Sequence, residues 1–232
     1  MASGIHRGGL ENPRKLRLSR EVSYILGLFT MPFAIAISTK ADLGLSMIAA
    51  PAFIISEKVS GLTYGQTEYI VQTLVLSVMC IVVRKFKLSY LFSFITSILY
   101  GTILDIFLYI LKDFEPEKML VRVILFILGM IITSISVTFF FNTYIPPCSY
   151  DFFVRDVVFE KKADMRKFKM GFDAAFLIIS LLLTLLLFRG FIGISIGTVI
   201  IVLVNGNIIS AFDQFLKKHV EFYDRFPLAR YF

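Results

Sequence analysis

Six stretches of almost uninterrupted apolar residues, 22–39, 70–83, 88–111, 119–141, 174–188 and 191–212, leave this chain few ways to fold in water. A helix needs roughly 17–25 such residues to cross about 30 Å of hydrocarbon. Most of the six meet that length; 70–83 does so only with Thr67 to Tyr69 added. Hydrophobic residues make up 57% of the chain, with 25 phenylalanines, against roughly 45–50% apolar residues in a soluble domain. The pattern predicts an all-α, polytopic membrane helical bundle, with the lipid bilayer as its first partner.

A net charge of +7 would suggest nucleic acid in a soluble protein. Here the lysines and arginines fall between the apolar runs, where a basic excess orients spans across a membrane. No nucleic-acid partner is expected. Cys80 and Cys148 are isolated, and His6 and His219 lie near the two ends of the sequence. These residues provide no disulfide framework and no metal or haem spacing. No metal site, cofactor, catalytic residue or enzymatic activity is expected. The segment "RKLRLSREVSYILGLFTMPFAIA" (14–36) has the form of a signal peptide, but is expected to be retained, because the second half keeps its counterpart as an internal span.

That counterpart belongs to a duplication. "YILGLF" (24–29) matches "FILGMI" (126–131), setting Gly27 against Gly129. "SILYGTILDIF" (97–107) matches "VLVNGNIISAF" (202–212), setting Gly101 against Gly206. The expected division is a basic cytoplasmic tail at 1–21, repeats at 22–112 and 113–214, and an amphipathic cytoplasmic tail at 215–232. Each repeat has a long span, a short interrupted segment, and two more spans. The short segments, "LSMIAAPAFIIS" (45–56) and "PCSYDFFVRDVVFE" (147–160), contain Pro51 and the charges Asp151, Arg155 and Asp156. Charged or irregular backbone survives at membrane depth only inside protein or beside a wet cavity. About six transmembrane helices plus two short re-entrant or half-helices are therefore expected. The termini would be cytoplasmic, with 18 of the 24 basic residues on that side. Letting both short segments cross gives eight spans and 19 inside, so charge alone leaves the choice open. Three spans per repeat would make the repeats inverted; four would make them parallel.

"ADLGLS" (41–46), the Gly turn near "SGLTYGQ", the basic hairpin and "YGTILDIF" resemble the YczE/YyaS/YitT family of bacterial membrane proteins over roughly residues 22–214. The resemblance implies an integral protein of the bacterial cytoplasmic membrane, with transport as the expected role. It supplies no substrate and no catalytic residue. The chain departs from the family where a second "ADLG" often stands; it has "TYIP" (143–146) there, and Ala49 faces Asp151 across the repeats.

The candidate substrate-binding residues are Asp42, Ser46, Asp105, Asp151, Arg155, Asn205 and Asn207. Asp42 either pairs with Lys40 at the surface or opens a half-helix whose N-terminal amides face a cavity and favour an anion. Ser46 and Ser149 suit the N-caps of the two half-helices. Asp151 and Arg155, four apart, suit an ion pair that softens burial; alternatively 150–160 lies on the membrane surface. Asp105 ends a row of small polar residues, Ser89, Ser93, Ser97 and Gly101, each four positions from the last. The serines and glycines read as helix packing, while an acid inside a span is a functional candidate. Asn205 and Asn207 would bind a solute or tie two helices. Glu68, Gln72 and Asp173 read as interfacial, and "EKKADMRKFK" (160–169) as a cytoplasmic anchor. The leading expectation is a small-solute or ion transporter with a cleft between two repeats. The alternative is an accessory or scaffold protein for a membrane-protein partner or export system; a homo-oligomer is compatible with either.

Overall fold

The computed structural model describes residues 16–84 and 86–226. Most of the basic tail at 1–21, with Arg7, Arg14 and Lys15, lies outside the described residues, as do Lys85 and Arg230. Eight helices account for most of the described chain: α1 (Arg20–Ala41), α2 (Ala50–Lys58), α3 (Tyr64–Val83), α4 (Leu88–Ile110), α5 (Met119–Phe141), α6 (Ser149–Lys161), α7 (Met165–Phe188) and α8 (Ile196–His219). Six of them, all but α2 and α6, are long and apolar enough to cross a membrane. The outer surface agrees: Ile81, Leu186, Ile196 and Leu203 are each at least 70% exposed. A belt of this extent is costly in water and favourable in lipid. The chain is a multi-pass membrane protein.

One feature departs from an all-helical plan. Strands β1 (Leu16–Ser19) and β2 (Val220–Tyr223) pair in parallel, Leu16 opposite Val220 and Ser19 opposite Tyr223. The ribbon ties the two ends of the described chain together at one end of the bundle. α8 also runs through Lys217 and Lys218 to His219, so the last helix continues past 215. These bases suit its C-terminal turn, where they meet the negative end of the helix dipole.

Helix ends reveal the path of the short segments. α1 ends with Asp42 in the left-handed conformation, φ 48°. Arg122, at the start of α5, caps it by donating from Nε to the Ala41 carbonyl at 2.8 Å and pairing Nη2 with the Asp42 carboxylate at 2.7 Å. α3 begins beside the C-terminal part of α4, where Thr63 donates to Asp105 at 2.5 Å, and Lys40 of α1 reaches the Lys112 carbonyl at 3.1 Å. The chain thus leaves α1 and begins α3 at the same end of the bundle. α6 behaves the same way at the other end. Before it, Tyr144 donates to Glu21 at 2.6 Å; after its first turns, Asp156 and Glu160 meet Lys87 at 2.8 and 2.9 Å. α2 and α6 are hairpin-like insertions from opposite ends, about 14 Å and 20 Å long at 1.5 Å per residue, and neither passes through.

The packing has a reciprocal plan. α1 lies along α5, α1 also contacts α4 as α5 contacts α8, and α2 packs on α3 and α7 while α6 packs on α7 and α3. Gly27 sits under the Phe140 ring, and a Cβ on Gly129 would strike the Ser38 hydroxyl. Small residues at these crossings let the α1 and α5 backbones approach closely. The serine row of α4 is also a packing feature: Ser93 and Ser97 are fully buried, and Ser93 donates to the Pro147 carbonyl at 2.9 Å.

The plan is broken in one place. α3 and α4 are in close contact, whereas α7 and α8 do not pack side by side. A Cβ on Gly65 would run into the Gly101 carbonyl, but one on Gly171 or Gly206 would have no neighbour within 4 Å. The space between α7 and α8 opens onto the site described below.

The Lys87 bridge is a test of α6 docking. Burial would push its ammonium pKa down, but the Asp156 and Glu160 carboxylates more than offset this and hold it above the ordinary lysine value. A pKa raised by folding stabilises the fold fully below the unfolded lysine value, about 10.4, and that contribution fades as pH rises through the folded value. Lys87→Met is expected to cost about 1 kcal/mol at pH 8, allowing for a side chain one-third exposed to solvent. The gap between variant and wild-type thermal unfolding should close as pH rises past the folded lysine value. A gap that persists there would mean that the stem of Lys87, not its charge, holds α6.

Candidate functional site

The inner ends of α2 and α6 meet a central cavity of about 490 Å³. Its wall combines the 46–49 turn before α2, the first residues of α6, Glu68 and Gln72 on α3, Tyr100 on α4, and the facing sides of α7 and α8. Most of the remaining lining is apolar, including Met31, Ile35, Val137 and Leu177.

At the α6 end the backbone is held by a buried polar network. The Gln72 side-chain oxygen accepts from the Ser149 amide at 3.1 Å and from the Ser97 hydroxyl at 2.6 Å. The Ser149 and Ser97 hydroxyls lie 3.0 Å apart. All three side chains are at most 1% exposed, so each bond replaces a contact with water that burial removed. Beside them, Tyr150 donates to Glu68 Oε2 at 2.8 Å. Oε1 of Glu68 accepts from no described residue, and no cationic side chain among the described residues pairs with it. On the α7 side, Lys169 lies 3.1 Å from Asp173 and 3.6 Å from Asp151. Among the described residues the cavity therefore contains three carboxyl groups and one ammonium.

The candidate residues divide between this cavity and other places. Ser46, Asp151 and Asn205 line it, with Asn205 accepting from the Ser134 hydroxyl. Asp42 and Asp105 lie instead along a separate groove of about 1090 Å³ at the end where α2 inserts. There Asp42 caps α1 and pairs with Arg122, not Lys40. Asp105 accepts from Thr63 Oγ1 and, at 2.8 Å, from the Gly65 amide, placing an anion at the N-terminus of α3, where the helix dipole favours it. Arg155 is exposed on α6 with its guanidinium over the Phe152 ring, 5.0 Å from the centroid. Its expected partner Asp151 pairs with Lys169, because α7 approaches that flank of α6. Asn207 is exposed and does not line the cavity.

The proposed side-chain caps are also absent. α2 begins after Ala49 without a side-chain cap, and Ser46 serves through its carbonyl, accepting from the Ala49 and Ala50 amides at 3.0 and 2.9 Å. Ser149 is the first helical residue of α6, with Cys148 before it. Among the described residues no cluster of His, Cys, Asp and Glu could hold a metal ion.

Glu68, Gln72 and Asp173 are cavity residues that read as interfacial in the sequence, and Lys169 is one that reads as part of a cytoplasmic anchor. α3 starts at Tyr64 and α7 at Met165, several residues before the apolar runs begin. This puts the polar groups one or two turns inside their helices. The signal was available in the length of 70–83: too short to span, it requires an earlier start, which carries Glu68 and Gln72 inward.

The sequence profile of a family of unknown function, DUF6198, matches residues 18–214. The chain belongs to this family. It is also 23% identical over 197 residues to the "Uncharacterized protein YyaS" of Bacillus subtilis (strain 168), covering 84% of this chain and 93% of that protein. The match bears out the resemblance carried by "ADLGLS" and "YGTILDIF". No solved structure matches the chain. The matched region spans α1 to α8 up to residue 214, so the cavity and both inserted helices lie within the family's common part.

Proposed function

We propose that this protein is a secondary transporter of a small solute or ion in the bacterial cytoplasmic membrane, with the central cavity as its binding site. The observation that carries the reading is the meeting of two half-helices, inserted from opposite ends of the bundle, at a central cavity lined by charged groups. Broken helices that converge on a mid-membrane site are a recurring construction in transporters. Maintaining buried charge there is costly for a scaffold that binds nothing.

In this reading, α1–α4 and α5–α8 are inverted repeats, each with three spans and one re-entrant segment. The helix pairings, repeated with the halves exchanged, support it. The termini are cytoplasmic in this reading: among the described residues the end bearing β1 and β2 has ten basic residues, Arg17, Arg20, Arg84, Lys87, Lys161, Lys162, Lys167, Lys217, Lys218 and Arg225, against six at the opposite end, Lys40, Lys58, Lys112, Lys118, Arg122 and Arg189, and a basic excess marks the cytoplasmic side. Alternating access follows from the broken symmetry. α3–α4 is closed and α7–α8 is apart; exchanging these two arrangements would turn the cavity toward the other side.

Purified protein in proteoliposomes, challenged with separate gradients of amino acids, organic acids, organic cations, sugars and inorganic ions, is expected to move one of these classes above the rate of empty liposomes. Ala49→Trp, which fills the cavity from its wall, should abolish that flux while leaving the protein monodisperse. A folded wild type silent to every class, purified from native membranes with a stoichiometric partner, would replace transport with the accessory role.

A further inference from the structure

Resting on the reading of the cavity as a transport site, we infer that its ligand is a lipophilic monovalent organic cation, and that Glu68 gives up a proton when the cation binds. Three observations converge on this chemistry. The cavity volume of about 490 Å³ falls within the roughly 300–1,000 Å³ of small-molecule pockets. Its wall is mainly apolar, with the rings of Tyr100 and Tyr150 among the lining side chains; aromatic faces attract desolvated cations. Its charge is unbalanced toward the negative.

Glu68 is the group that makes the imbalance usable. Lys169 is already engaged between Asp151 and Asp173, and that triad leaves no cation for Glu68. The Glu68 side chain is 1% exposed, bonded on one oxygen and unpartnered among the described residues on the other. The ionisable groups facing it are Tyr64 on its own helix, Tyr100 on α4, Cys148 and Tyr150 at the start of α6, and, across the cavity, Asp151, Lys169 and Asp173. Only Lys169 is a cation, and it is taken. A carboxylate placed so is neutralised by a proton or by a bound cation. The two occupants exclude each other: the neutral carboxyl releases its proton to bulk water, and the resulting carboxylate pairs with the incoming cation.

The inserted helices do not reverse the preference. Their N-termini favour anions by about 0.3–1 kcal/mol each at exposed sites. α6 answers its own dipole with Asp151 in its first turn. α2 contributes one uncompensated N-terminus, a partial charge set against a full carboxylate. The anion expected at the half-helix ends is therefore displaced by the acids on α3 and α7.

The test uses full-length protein in detergent and two probes of equal shape and opposite charge, tetraphenylphosphonium and tetraphenylborate. Calorimetry in buffers of differing ionisation enthalpy, corrected for partitioning into empty micelles, should show phosphonium binding with proton release and no saturable borate binding. Glu68→Gln should abolish the proton release and weaken phosphonium binding at least about 30-fold, the lower end of the cost of removing one member of a desolvated charge pair. Asp113→Asn, in an exposed loop, should bind as wild type. Borate binding as tight as phosphonium, phosphonium binding without proton release, or wild-type binding by folded Glu68→Gln would each overturn the inference. If Glu68→Gln does not fold, the two probes and the proton count on wild type decide alone. Phosphonium binding with proton release but no flux in proteoliposomes would remove the transport reading and leave this site standing. Flux of another solute without phosphonium binding would do the reverse.

Discussion

Gly65→Val should prevent the protein from reaching its folded state, or leave it destabilised by about 3 kcal/mol or more. Inserted methylenes in a packed core typically cost about 1–3 kcal/mol, relieved by side-chain movement. Here a Cβ would collide with the backbone carbonyl of Gly101 and sit 2.6 Å from the Asp105 carboxyl carbon. Neither can yield cheaply, because the carbonyl is part of α4 and Asp105 is fixed by capping α3. The comparison that gives the result meaning is Gly171→Val and Gly206→Val, at positions with no neighbour within 4 Å. Both should express and melt close to wild type, within the roughly 0.5 kcal/mol usual for surface changes away from special features. Fluorescence-detected gel filtration and thermal unfolding in detergent separate the cases. A Gly65→Val protein that is monodisperse with an unchanged melting temperature would mean that α3 and α4 do not touch as described.

The second large effect is all-or-none. In a background without Cys80 and Cys148, single cysteines at Lys58 and Lys112 should react with a membrane-impermeant thiol reagent added to intact cells, and cysteines at Arg84 and Lys162 should react only after permeabilisation. The pattern follows from the helix ends. Lys58 at the close of α2 lies over the Phe188 ring at the end of α7, 5.3 Å from its centroid. Arg84 and Lys162 close α3 and α6 at the end that carries β1 and β2. Labelling of Arg84→Cys in intact cells, with Lys58→Cys protected, would reverse the proposed orientation. Labelling of both from outside would mean that α3 does not cross, and the inverted arrangement would fall with it.

Much of this architecture could be read directly. The six long helices follow from the apolar runs, because hydrocarbon thickness imposes a length on any span and leaves the backbone no partner but itself. The short segments were recognisable as insertions, since neither 45–56 nor 147–160 has the length or apolarity to cross. The serine row of α4 was legible as packing because positions four apart share a helix face, and Ser93 and Ser97 pack there. The site was less legible. Asp105 looked functional because it is an acid inside a span, yet it is used locally to cap α3. Glu68 and Asp173 looked peripheral because their helices were expected to start at the apolar runs, where hydropathy changes, and not at Thr63 and Asp164, whose side chains cap them.

Local chemistry thus determined which segments are helices, how many are long enough to span, and which two stop short. Those properties depend on apolar length and on neighbours within a few residues. Tertiary structure alone decided which acid caps a helix and which faces a cavity, that Lys169 pairs with Asp151 and Asp173 in place of Arg155 with Asp151, and that α7 and α8 stand apart where α3 and α4 close. The physical reason is that a charge's role depends on the groups brought within a few ångströms of it. For Glu68 the nearest of these, Tyr150, lies 82 residues away along the chain.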